Sequence, residues 1–320
     1  MDRAPGLIAL DWGTTSLRAY LLAADAPAVL DERAEAWGIT RLPGGDFAAA
    51  FEALTGPWRR RWPRLAAVAA GMVGSAHGWV EAPYQECPAG AEELAAGLVS
   101  VPGGGLRVVP GVAHWGGRPD VMRGEETQVV GALALHPALA ARAWLVLPGT
   151  HSKWVRVEDG RVADLTTFMT GELFAVLRDH SVLGRPPGVA QSAPNAAATP
   201  GGATAGDGAF ARGVAAARAS REGLAPLLFA TRALALAGRL RPEDAPDYLS
   251  GLLIGDELRG ALAGRRDAPL ALVGDAALCA RYDAALRLFG VPDALTVGGA
   301  APAGLWHVAR RAGLVAAPHA

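Results

Sequence analysis

The chain has 320 residues, a formal net charge of −1 and two cysteines, Cys87 and Cys279. Hydrophobic residues make up 51% of it and charged residues 19%, which excludes wholesale disorder and leaves enough apolar side chains for a large core. The near-neutral charge argues against a basic nucleic-acid-binding or membrane-binding surface. The cysteines fit no metal-ligand spacing and no apolar run is long enough to span a bilayer, so the sequence predicts a cytoplasmic protein.

The N-terminal part begins with two predicted strands around a polar turn. Residues 7–10 and 17–22 are the apolar strands, and residues 11–16 (Asp-Trp-Gly-Thr-Thr-Ser) form the turn. Asp46 is then predicted to cap a helix over residues 47–62. The other elements predicted before residue 120 are a third strand over 36–42, a buried strand over 65–73, a strand over 107–110 and a Gly-rich loop over 111–119.

The middle of the chain repeats this strand–turn–strand order. Residues 143–147 and 154–157 are apolar strands, and residues 148–153 (Pro-Gly-Thr-His-Ser-Lys) form the turn between them. A loop and helix over 120–135 precede this arrangement, and a strand over 162–168 follows it. The two arrangements indicate a duplicated architecture with a cleft between its halves.

The C-terminal part is predicted to be mainly helical. Its predicted elements are helices over 172–179, 210–240, 248–262, 276–289 and 303–312, strands over 270–273 and 294–297, and a loop over 188–208.

The first turn has the composition of a phosphate-binding loop. Gly13 lets the backbone approach a ligand closely, and the amides and hydroxyls of Thr14 and Thr15 can bind phosphate oxygens. Asp11 can hold a hydrated Mg²⁺ nearby. An ordinary polar hairpin turn is the alternative interpretation, because the same residue types are frequent in turns.

The second turn repeats this chemistry and adds a lysine. Gly149 and Thr150 supply the Gly-Thr pair, and Lys153 is the only lysine among 30 basic residues. An ammonium can act as a point charge against a phosphate or carboxylate group, whereas the alternative is a solvated lysine whose stem packs on Trp154. For His151, a hydrogen-bonded structural role and a catalytic role both stay open.

Two further segments carry candidate site residues. Glu125 and Glu126 follow Gly124 at a predicted helix start, where the helix dipole favours anions and a carboxylate could accept a hydroxyl proton. Ordinary N-terminal helix charge is the alternative. Gly274 and Asp275 join a strand to a helix N-terminus, a geometry that is common at nucleotide sites and in ordinary βα units.

Taken in order, these segments resemble the 2-dehydro-3-deoxygalactonokinase family. The resemblance rests on Leu-Asp-Trp-Gly-Thr-Thr-Ser at residues 10–16, Arg-Gly-Glu-Glu-Thr-Gln at 123–128, Leu-Pro-Gly-Thr-His-Ser-Lys-Trp at 147–154 and Thr-Phe-Met-Thr-Gly-Glu-Leu at 167–173. Residues 71–75, 78–79 and 82–84 also resemble that family, and the similarity is strong from about residue 7 to 184. The family often has an Arg-Gln pair where this chain has Ala76-His77.

The resemblance implies an α/β protein with a two-domain actin-like (ribonuclease H-like) ATPase fold and a nucleotide cleft between the domains. The domains are expected over residues 1–130 and 131–302, with a final helix over 303–314 packing back on the first. ATP and Mg²⁺ are the implied cofactors. The implied reaction transfers the γ-phosphoryl group of ATP to the C6 hydroxyl of 2-dehydro-3-deoxy-D-galactonate in galactonate catabolism.

The resemblance also implies roles for single residues. Asp11 would hold the metal and take part in catalysis, and the base would be Glu126 or Glu125, with Asp120 as the rival because many sugar kinases use an Asp here. The implied nucleotide contacts are Asp11, Gly13, Thr14, Thr15, Gly149, Thr150, His151, Lys153, Gly274 and Asp275. The expected substrate contacts are Ser75, Trp79, Arg18, Arg123, Lys153 and Glu172.

Two alternative functions stay open at this stage. The first is a kinase for another 2-keto-3-deoxy sugar acid, and the second is a non-kinase, nucleotide-dependent regulator of the same fold. The expected partners are a small sugar acid and ATP, with no nucleic acid and no membrane, and a homodimer stays open as well.

Overall fold

The computed structural model describes residues 3–184, 208–263, 268–292 and 294–315. The predicted loop over 188–208 lies outside the described residues, apart from Gly208. The chain divides into two compact units. Unit 1 comprises Met1–Leu145, Val155–Thr166 and Val297–Ala320, and unit 2 comprises Val146–Trp154 and Thr167–Thr296.

Strands and helices alternate along much of the chain. The strands are β1 (Pro5–Trp12), β2 (Leu17–Ala23), β3 (Val29–Glu35), β4 (Ala66–Ala70), β5 (Tyr84–Glu86), β6 (Val99–Ser100), β7 (Arg107–Val108), β8 (Gly111–His114), β9 (Asp120–Met122), β10 (Arg142–Leu147), β11 (Ser152–Glu158), β12 (Arg161–Phe168), β13 (Leu270–Val273) and β14 (Leu295–Val297). The α-helices are α1 (Phe47–Arg61), α2 (Ala91–Ala96), α3 (Glu125–Leu135), α4 (Thr170–His180), α5 (Ala209–Ala219), α6 (Leu224–Leu236), α7 (Ala245–Ala261), α8 (Ala276–Leu288) and α9 (Ala300–Arg311).

The main sheet of unit 1 has the strand order β3-β2-β1-β4-β7-β6. β1 pairs antiparallel with β2 and parallel with β4, so β1 is central, and residues 7–10 within it are fully buried. Helix α1 begins at the predicted cap, where the Asp46 carboxylate accepts a hydrogen bond from the Ala49 amide at 2.9 Å. It buries Phe51, Leu54 and Trp58 in the same core as β1.

The prediction of a third strand over residues 36–42 is wrong. The strand is β3 (Val29–Glu35), which pairs with β2 at the edge of the sheet and has largely exposed side chains. Because an exposed edge strand needs no apolar face, its charged sequence lacks the apolar pattern from which strands are predicted. Residues 36–42 instead pass beside the turn that joins β1 and β2.

A small sheet of order β5-β8-β9 corrects two further predictions. β8 (Gly111–His114) occupies the start of the predicted Gly-rich loop, and β9 (Asp120–Met122) occupies the predicted approach to α3. β8 lies between its partners, parallel to β5 and antiparallel to β9. Both strands are too short to show a periodic pattern, and they are stabilised by this pairing instead.

A second main sheet has the strand order β12-β11-β10-β13-β14. In unit 2, the buried core includes Val146, Trp154, Leu258, Leu272 and Tyr282, which come from strands on the one hand and from α7 and α8 on the other. α7 packs along α5 in this unit. In unit 1, α9 packs against α3 and β1. Within the described part of the chain, no helix is long and apolar enough to cross a membrane.

Candidate active site

The first turn is held from behind by the segment that follows β3. The Ile39 amide donates to the Gly13 carbonyl at 3.1 Å, and the Thr40 amide and hydroxyl donate to the Thr14 carbonyl at 3.1 and 2.7 Å. Thr14 and Thr15 are exposed. The supporting segment therefore bonds to the carbonyls of Gly13 and Thr14 and leaves the side of the turn with Thr14 and Thr15 exposed.

Asp11 lies at the C-terminal end of β1, immediately before this turn. It is half-buried and stands opposite Arg18 in the β1–β2 register. Burial raises the pKa of Asp11, while the charge of Arg18 opposes that rise. Burial, together with the charges of Asp11 and Glu32, raises the pKa of Tyr20 to about 12. An ionised Asp11 is thus costly in the protein alone, and a bound cation would offset this cost.

The donor chemistry at Asp11 fits a magnesium ion. Mg²⁺ prefers oxygen ligands and usually takes one or two carboxylates, with water and substrate phosphate oxygens completing its shell. The described residues contain no group of three or more His, Cys, Asp or Glu side chains that could form a complete protein cage. A single carboxylate beside a hydroxyl-rich turn is therefore the kind of site in which phosphate oxygens would share the ion.

Two glycines bring the start of α3 close to the end of β1. Gly71, after β4, has φ +100°, and a Cβ atom there would lie 2.7 Å from the Trp12 carbonyl oxygen. Gly124, before α3, has φ +109°, and its Cβ would lie 3.1 Å from the Gly71 Cα. A side chain at either position would be strained and crowded. The end of β1 at Asp11 and the start of α3 at Glu125 can therefore lie close together, because the glycines between them carry no side chains.

Glu126 is a fully buried carboxyl group with one satisfied oxygen. Its Oε2 accepts the Gly124 amide at 2.6 Å, and its Oε1 has no hydrogen-bond partner within the described parts of the chain. Burial, with a smaller contribution from the charge of Glu125, raises the pKa of Glu126 to about 8. An unsatisfied buried acceptor is unfavourable, and a donor supplied by a ligand would relieve it.

The other two candidate carboxylates have different surroundings. Glu125 is half-buried, and its Oε2 accepts the Arg123 amide at 3.1 Å. Asp120 lies on β9 opposite His114, and its Oδ1 accepts the Val121 amide at 2.8 Å. Their roles in catalysis stay predictions.

Arg123 has a buried guanidinium group with spare donors. Its Nη2 donates to the Ala82 carbonyl at 2.8 Å, and its Cζ lies 4.3 Å from the centre of the Tyr84 ring. Its Nε and Nη1 have no hydrogen-bond partner among the residues that the structure describes, and the same is true of the Ser75 hydroxyl. A Cβ on Gly74 would lie 3.1 Å from Nη1, so the segment containing Ser75 passes directly beside the guanidinium. Planar donors without acceptors suit a carboxylate ligand.

Of the remaining predicted substrate residues in unit 1, Trp79 is part of the core and Arg18 is exposed. Trp79 stacks with Phe47 at 6.2 Å between ring centres and meets Trp12 and Phe51 edge-on at 6.3 and 5.8 Å. These aromatic contacts pack against Trp12 and stabilise the C-terminal end of β1. Contact between either residue and a substrate stays a prediction.

The second turn lies in unit 2 and is supported by the start of α4. The Glu172 amide donates to the Thr150 carbonyl at 2.9 Å, and a Cβ on Gly171 would collide with the Gly149 carbonyl. The exposed His151 ring lies 2.5 Å from the Glu172 carboxylate, measured from Nε2 to Oε2. The segments 147–154 and 167–173, which were separate motifs in the sequence, thus meet in space.

Lys153 does not lie in the turn but is the second residue of β11. Its side chain is 6% exposed, and its Nζ donates to the Thr167 hydroxyl at 2.8 Å. The alternative of a solvated lysine is therefore wrong. A buried ammonium needs polar partners, and this group contacts the second of the two family motifs in this unit.

Sequence reasoning missed Glu257, a buried residue of α7. Its Oε1 accepts the Ser152 hydroxyl at 2.7 Å and the Trp154 Nε1 at 2.8 Å, and its Oε2 accepts the Tyr282 hydroxyl at 2.6 Å and the Thr170 hydroxyl. The only signal in the sequence is a glutamate between the apolar residues 252–254 and Leu258 of a predicted helix. Its partners lie 25 to 105 residues away, so no local pattern could reveal them.

Gly274 and Asp275 join β13 to α8, as the sequence predicts. Gly274 has φ +135°, and a Cβ there would lie 4.0 Å from the Pro148 carbonyl oxygen, so this link runs beside the second turn. The Asp275 carboxylate accepts the Leu278 amide at 3.0 Å and caps α8.

Comparison with known proteins agrees with this set of segments. Residues 11–308 match the family model described as 2-keto-3-deoxy-galactonokinase. The 2-dehydro-3-deoxygalactonokinase of Escherichia coli (strain K12) is 38% identical over 297 residues, which cover 91% of this chain and 92% of the relative. A crystal structure assigned to a 2-dehydro-3-deoxygalactonokinase of Sinorhizobium meliloti has a TM-score of 0.83 and 37% identity, covering 95% of this chain and 98% of its own.

A more distant structure bears on the fold alone. Component A of the (R)-2-hydroxyglutaryl-CoA dehydratase of Acidaminococcus fermentans has a TM-score of 0.50 and 12% identity, covering 97% of this chain and all of its own. The predicted actin-like ATPase fold is confirmed. With a family model matching most of its length and a relative of 38% identity, the chain belongs to the 2-keto-3-deoxy-galactonokinase family.

Proposed function

We propose that this chain transfers the γ-phosphoryl group of ATP to the C6 hydroxyl of 2-dehydro-3-deoxy-D-galactonate. The observation that carries the proposal is the group of unsatisfied polar atoms in unit 1. Among the residues that the structure describes, the Arg123 guanidinium has two buried nitrogens without acceptors, and the Glu126 carboxyl has a buried oxygen without a donor. A sugar acid offers what both lack, because it carries a carboxylate at one end and hydroxyl groups along its chain.

Arg123 and Ser75 form the proposed site for the acceptor carboxylate. The guanidinium is fixed by the Ala82 carbonyl and by the Tyr84 ring, so its remaining donors are already oriented. Charge-assisted hydrogen bonds to a carboxylate are roughly twice as strong as neutral ones. Neutral hexoses lack this group and would be poor acceptors.

Glu126 is the proposed general base for the acceptor hydroxyl. Its Oε1 has no partner among the described residues and can accept the hydroxyl proton once the carboxyl is ionised, which a pKa of about 8 places close to neutral pH. The Gly124 amide holds the other oxygen, which orients the group. Glu125 and Asp120 are the alternative general bases. Each accepts a backbone amide from a nearby residue of its own segment.

The two turns would bind the phosphates of ATP. Gly13, Thr14 and Thr15 offer amides and exposed hydroxyls in unit 1, and Gly149 and Thr150 offer the corresponding groups in unit 2. The further nucleotide contacts that we propose are His151, Lys153, Gly274 and Asp275, with Glu172 holding the His151 ring. Phosphoryl transfer depends mainly on positioning and charge stabilisation, which such groups provide.

Asp11 is the residue that would hold Mg²⁺. When bound, the ion neutralises charge that develops on the phosphate oxygens. Asp11 is suited to this role because it is a half-buried carboxylate beside the first turn. A cytoplasmic location and a homodimer stay predictions from the sequence.

A coupled ADP-release assay over a panel of acceptors tests the proposal. The panel contains 2-dehydro-3-deoxy-D-galactonate, its gluconate epimer, the corresponding C1 alcohol and galactose. We expect the highest kcat/KM for the galactonate and a loss of at least about 100-fold for acceptors without a carboxylate. Equal kcat/KM for galactose and the acid would contradict the substrate class. A higher kcat/KM for the gluconate epimer would change the proposed acceptor but not the proposed reaction.

A further inference from the structure

The four hydrogen-bond donors to Glu257 come from three segments of the proposed nucleotide site. Ser152 follows the second turn directly, and its hydroxyl lies 2.7 Å from Glu257 Oε1. Thr170 opens α4 immediately before the glycine that approaches that turn. Tyr282 lies on α8, the helix that begins after Gly274-Asp275, and its hydroxyl lies 2.6 Å from Oε2. One carboxyl group therefore connects the second turn to α8, the helix that follows the proposed nucleotide contacts Gly274 and Asp275.

This carboxyl group is not explained by packing alone. Glu257 is 2% exposed and lies on the face of α7 that meets the unit 2 core, beside Ile254 and Leu258. An apolar side chain would fill the same volume without the cost of removing a carboxylate from water. Burial raises the pKa of Glu257, and its four hydrogen bonds oppose the rise. Each oxygen accepts two donors, so both oxygens are satisfied by protein groups alone.

The donors join segments that are distant along the chain. Ser152 begins β11 and Thr170 follows β12, so the pairing of these strands already brings them together, whereas Tyr282 lies more than 100 residues further along the chain. A hydrogen-bonded carboxylate imposes directions as well as distances, which apolar contacts do not. Without the Glu257 carboxylate, the second turn and α8 could move relative to each other while the unit 2 core stays packed.

We propose that Glu257 is a positioning residue for ATP, which holds the second turn in register with the start of α8 before the nucleotide arrives. The inference rests on the proposed function, in which both segments contact ATP. Its consequence is selective: the affinity for ATP should depend on Glu257, whereas the affinity for the sugar acid should not, because Arg123 and Ser75 lie in unit 1.

The experiment compares Glu257→Gln with wild type by calorimetric titration with ATP and by kinetics with both substrates varied. Glutamine has nearly the same shape, but its amide nitrogen would face two donors on one side. We expect the Kd and KM for ATP to rise at least about 10-fold, since small displacements of binding groups have effects of this size or larger. The KM for the acid should change less than about 2-fold. The matched control is Asp256→Asn on the same helix, where the carboxylate pairs with Arg259 at 2.5 Å, and it should behave like wild type.

Two single-donor variants extend the test in case Glu257→Gln does not fold. Tyr282→Phe and Thr170→Val each remove one hydroxyl donor to the carboxylate and should raise the Kd for ATP about 3-fold or more. A lower Tm with an unchanged Kd for ATP in the folded variants would show a merely structural role and overturn the inference. A wild-type protein that binds no ATP would instead overturn the proposed function. Equal rises in the two KM values would also contradict selective positioning.

Discussion

The two Gly-Thr turns look alike in sequence, and both accept backbone amides at their carbonyls, but their side-chain surroundings differ. The first turn accepts the Ile39 amide and the Thr40 amide and hydroxyl, and buried polar atoms near it in unit 1 have no partner in the part of the chain that the structure describes. The second turn is flanked by side chains that satisfy one another, namely the His151–Glu172 pair and the four donors to Glu257. Unsatisfied groups are positioned to meet a ligand, whereas satisfied networks fix geometry in advance. The comparison favours the proposal that groups near the first turn contact the acceptor and that the Glu257 network holds the second turn in place.

The largest effect is expected from Asp11→Asn next to the first turn. We expect kcat to fall at least about 100-fold, because a metal that neutralises phosphate charge contributes several kcal/mol to phosphoryl transfer. The Tm should not fall, since burial makes the ionised form of this carboxyl unfavourable in the free protein. Steady-state kinetics with calorimetry of the free protein measure both quantities. A folded Asp11→Asn variant with wild-type kcat would remove this residue from the mechanism.

The next largest effect is expected from replacing Arg123, the proposed ligand of the acceptor carboxylate in unit 1. Arg123→Lys keeps the charge but cannot bond the Ala82 carbonyl and present a planar pair of donors at once. We expect kcat/KM for the acid to fall about 30-fold, roughly 2 kcal/mol, mainly through KM for the acid. The control is Arg107→Lys, an exposed arginine on β7. An unchanged KM for the acid in the folded variant would place the acceptor carboxylate elsewhere.

A smaller effect is expected from Lys153→Arg in unit 2. The ammonium is buried and bonded to the Thr167 hydroxyl, so a larger planar guanidinium would disturb its surroundings. We expect kcat/KM to fall at least about 10-fold, about 1.4 kcal/mol. Arg156→Lys on the same strand is the matched opposite exchange, at a half-buried position paired with Glu158. A loss in kcat would indicate contact with the phosphoryl group, and wild-type kinetics would exclude an anion contact.

The last effect concerns stability rather than catalysis and is a pH dependence at Glu126. Its pKa of about 8 in the folded protein exceeds its usual value of 4.5, so the folded state holds a proton that the unfolded state has released between these pH values. The stability from this group is therefore present at low pH and is lost as the pH rises towards 8, by up to about 1.4 kcal/mol per pH unit. Denaturant unfolding from pH 5 to 8.5 should show this slope in wild type relative to Glu126→Gln. If the free energy of unfolding depended on pH in the same way in both proteins, the pKa of Glu126 would not be raised.

The candidate site residues that the sequence predicts are those that lie together in a short segment. Gly13, Thr14 and Thr15 were predicted because a turn and its ligand chemistry share neighbouring residues, and Gly274 and Asp275 for the same reason, and their roles stay predictions. The fold class followed from the family motifs and is confirmed. β3 was misplaced because an exposed edge strand shows no apolar pattern.

Features that depend on distant residues could not be predicted in this way. The role of Glu257 depends on donors up to 105 residues away. Arg123 was a candidate from its motif, but its orientation depends on Ala82 and Tyr84, which are brought to it by the fold. The burial of Lys153 also became visible only when β11 and Thr167 were placed together.

The most direct test of the central claim is a two-substrate kinetic comparison of Arg123→Lys and Glu257→Gln under identical conditions. The claim is that Arg123 in unit 1 binds the acceptor carboxylate and that Glu257 in unit 2 positions the second turn for the nucleotide. It predicts opposite patterns: Arg123→Lys raises KM for the acid and leaves KM for ATP within about 2-fold, whereas Glu257→Gln raises KM for ATP at least about 10-fold and leaves KM for the acid within about 2-fold. If both folded variants changed the same KM, or changed both equally, the division of labour between the two units would be contradicted.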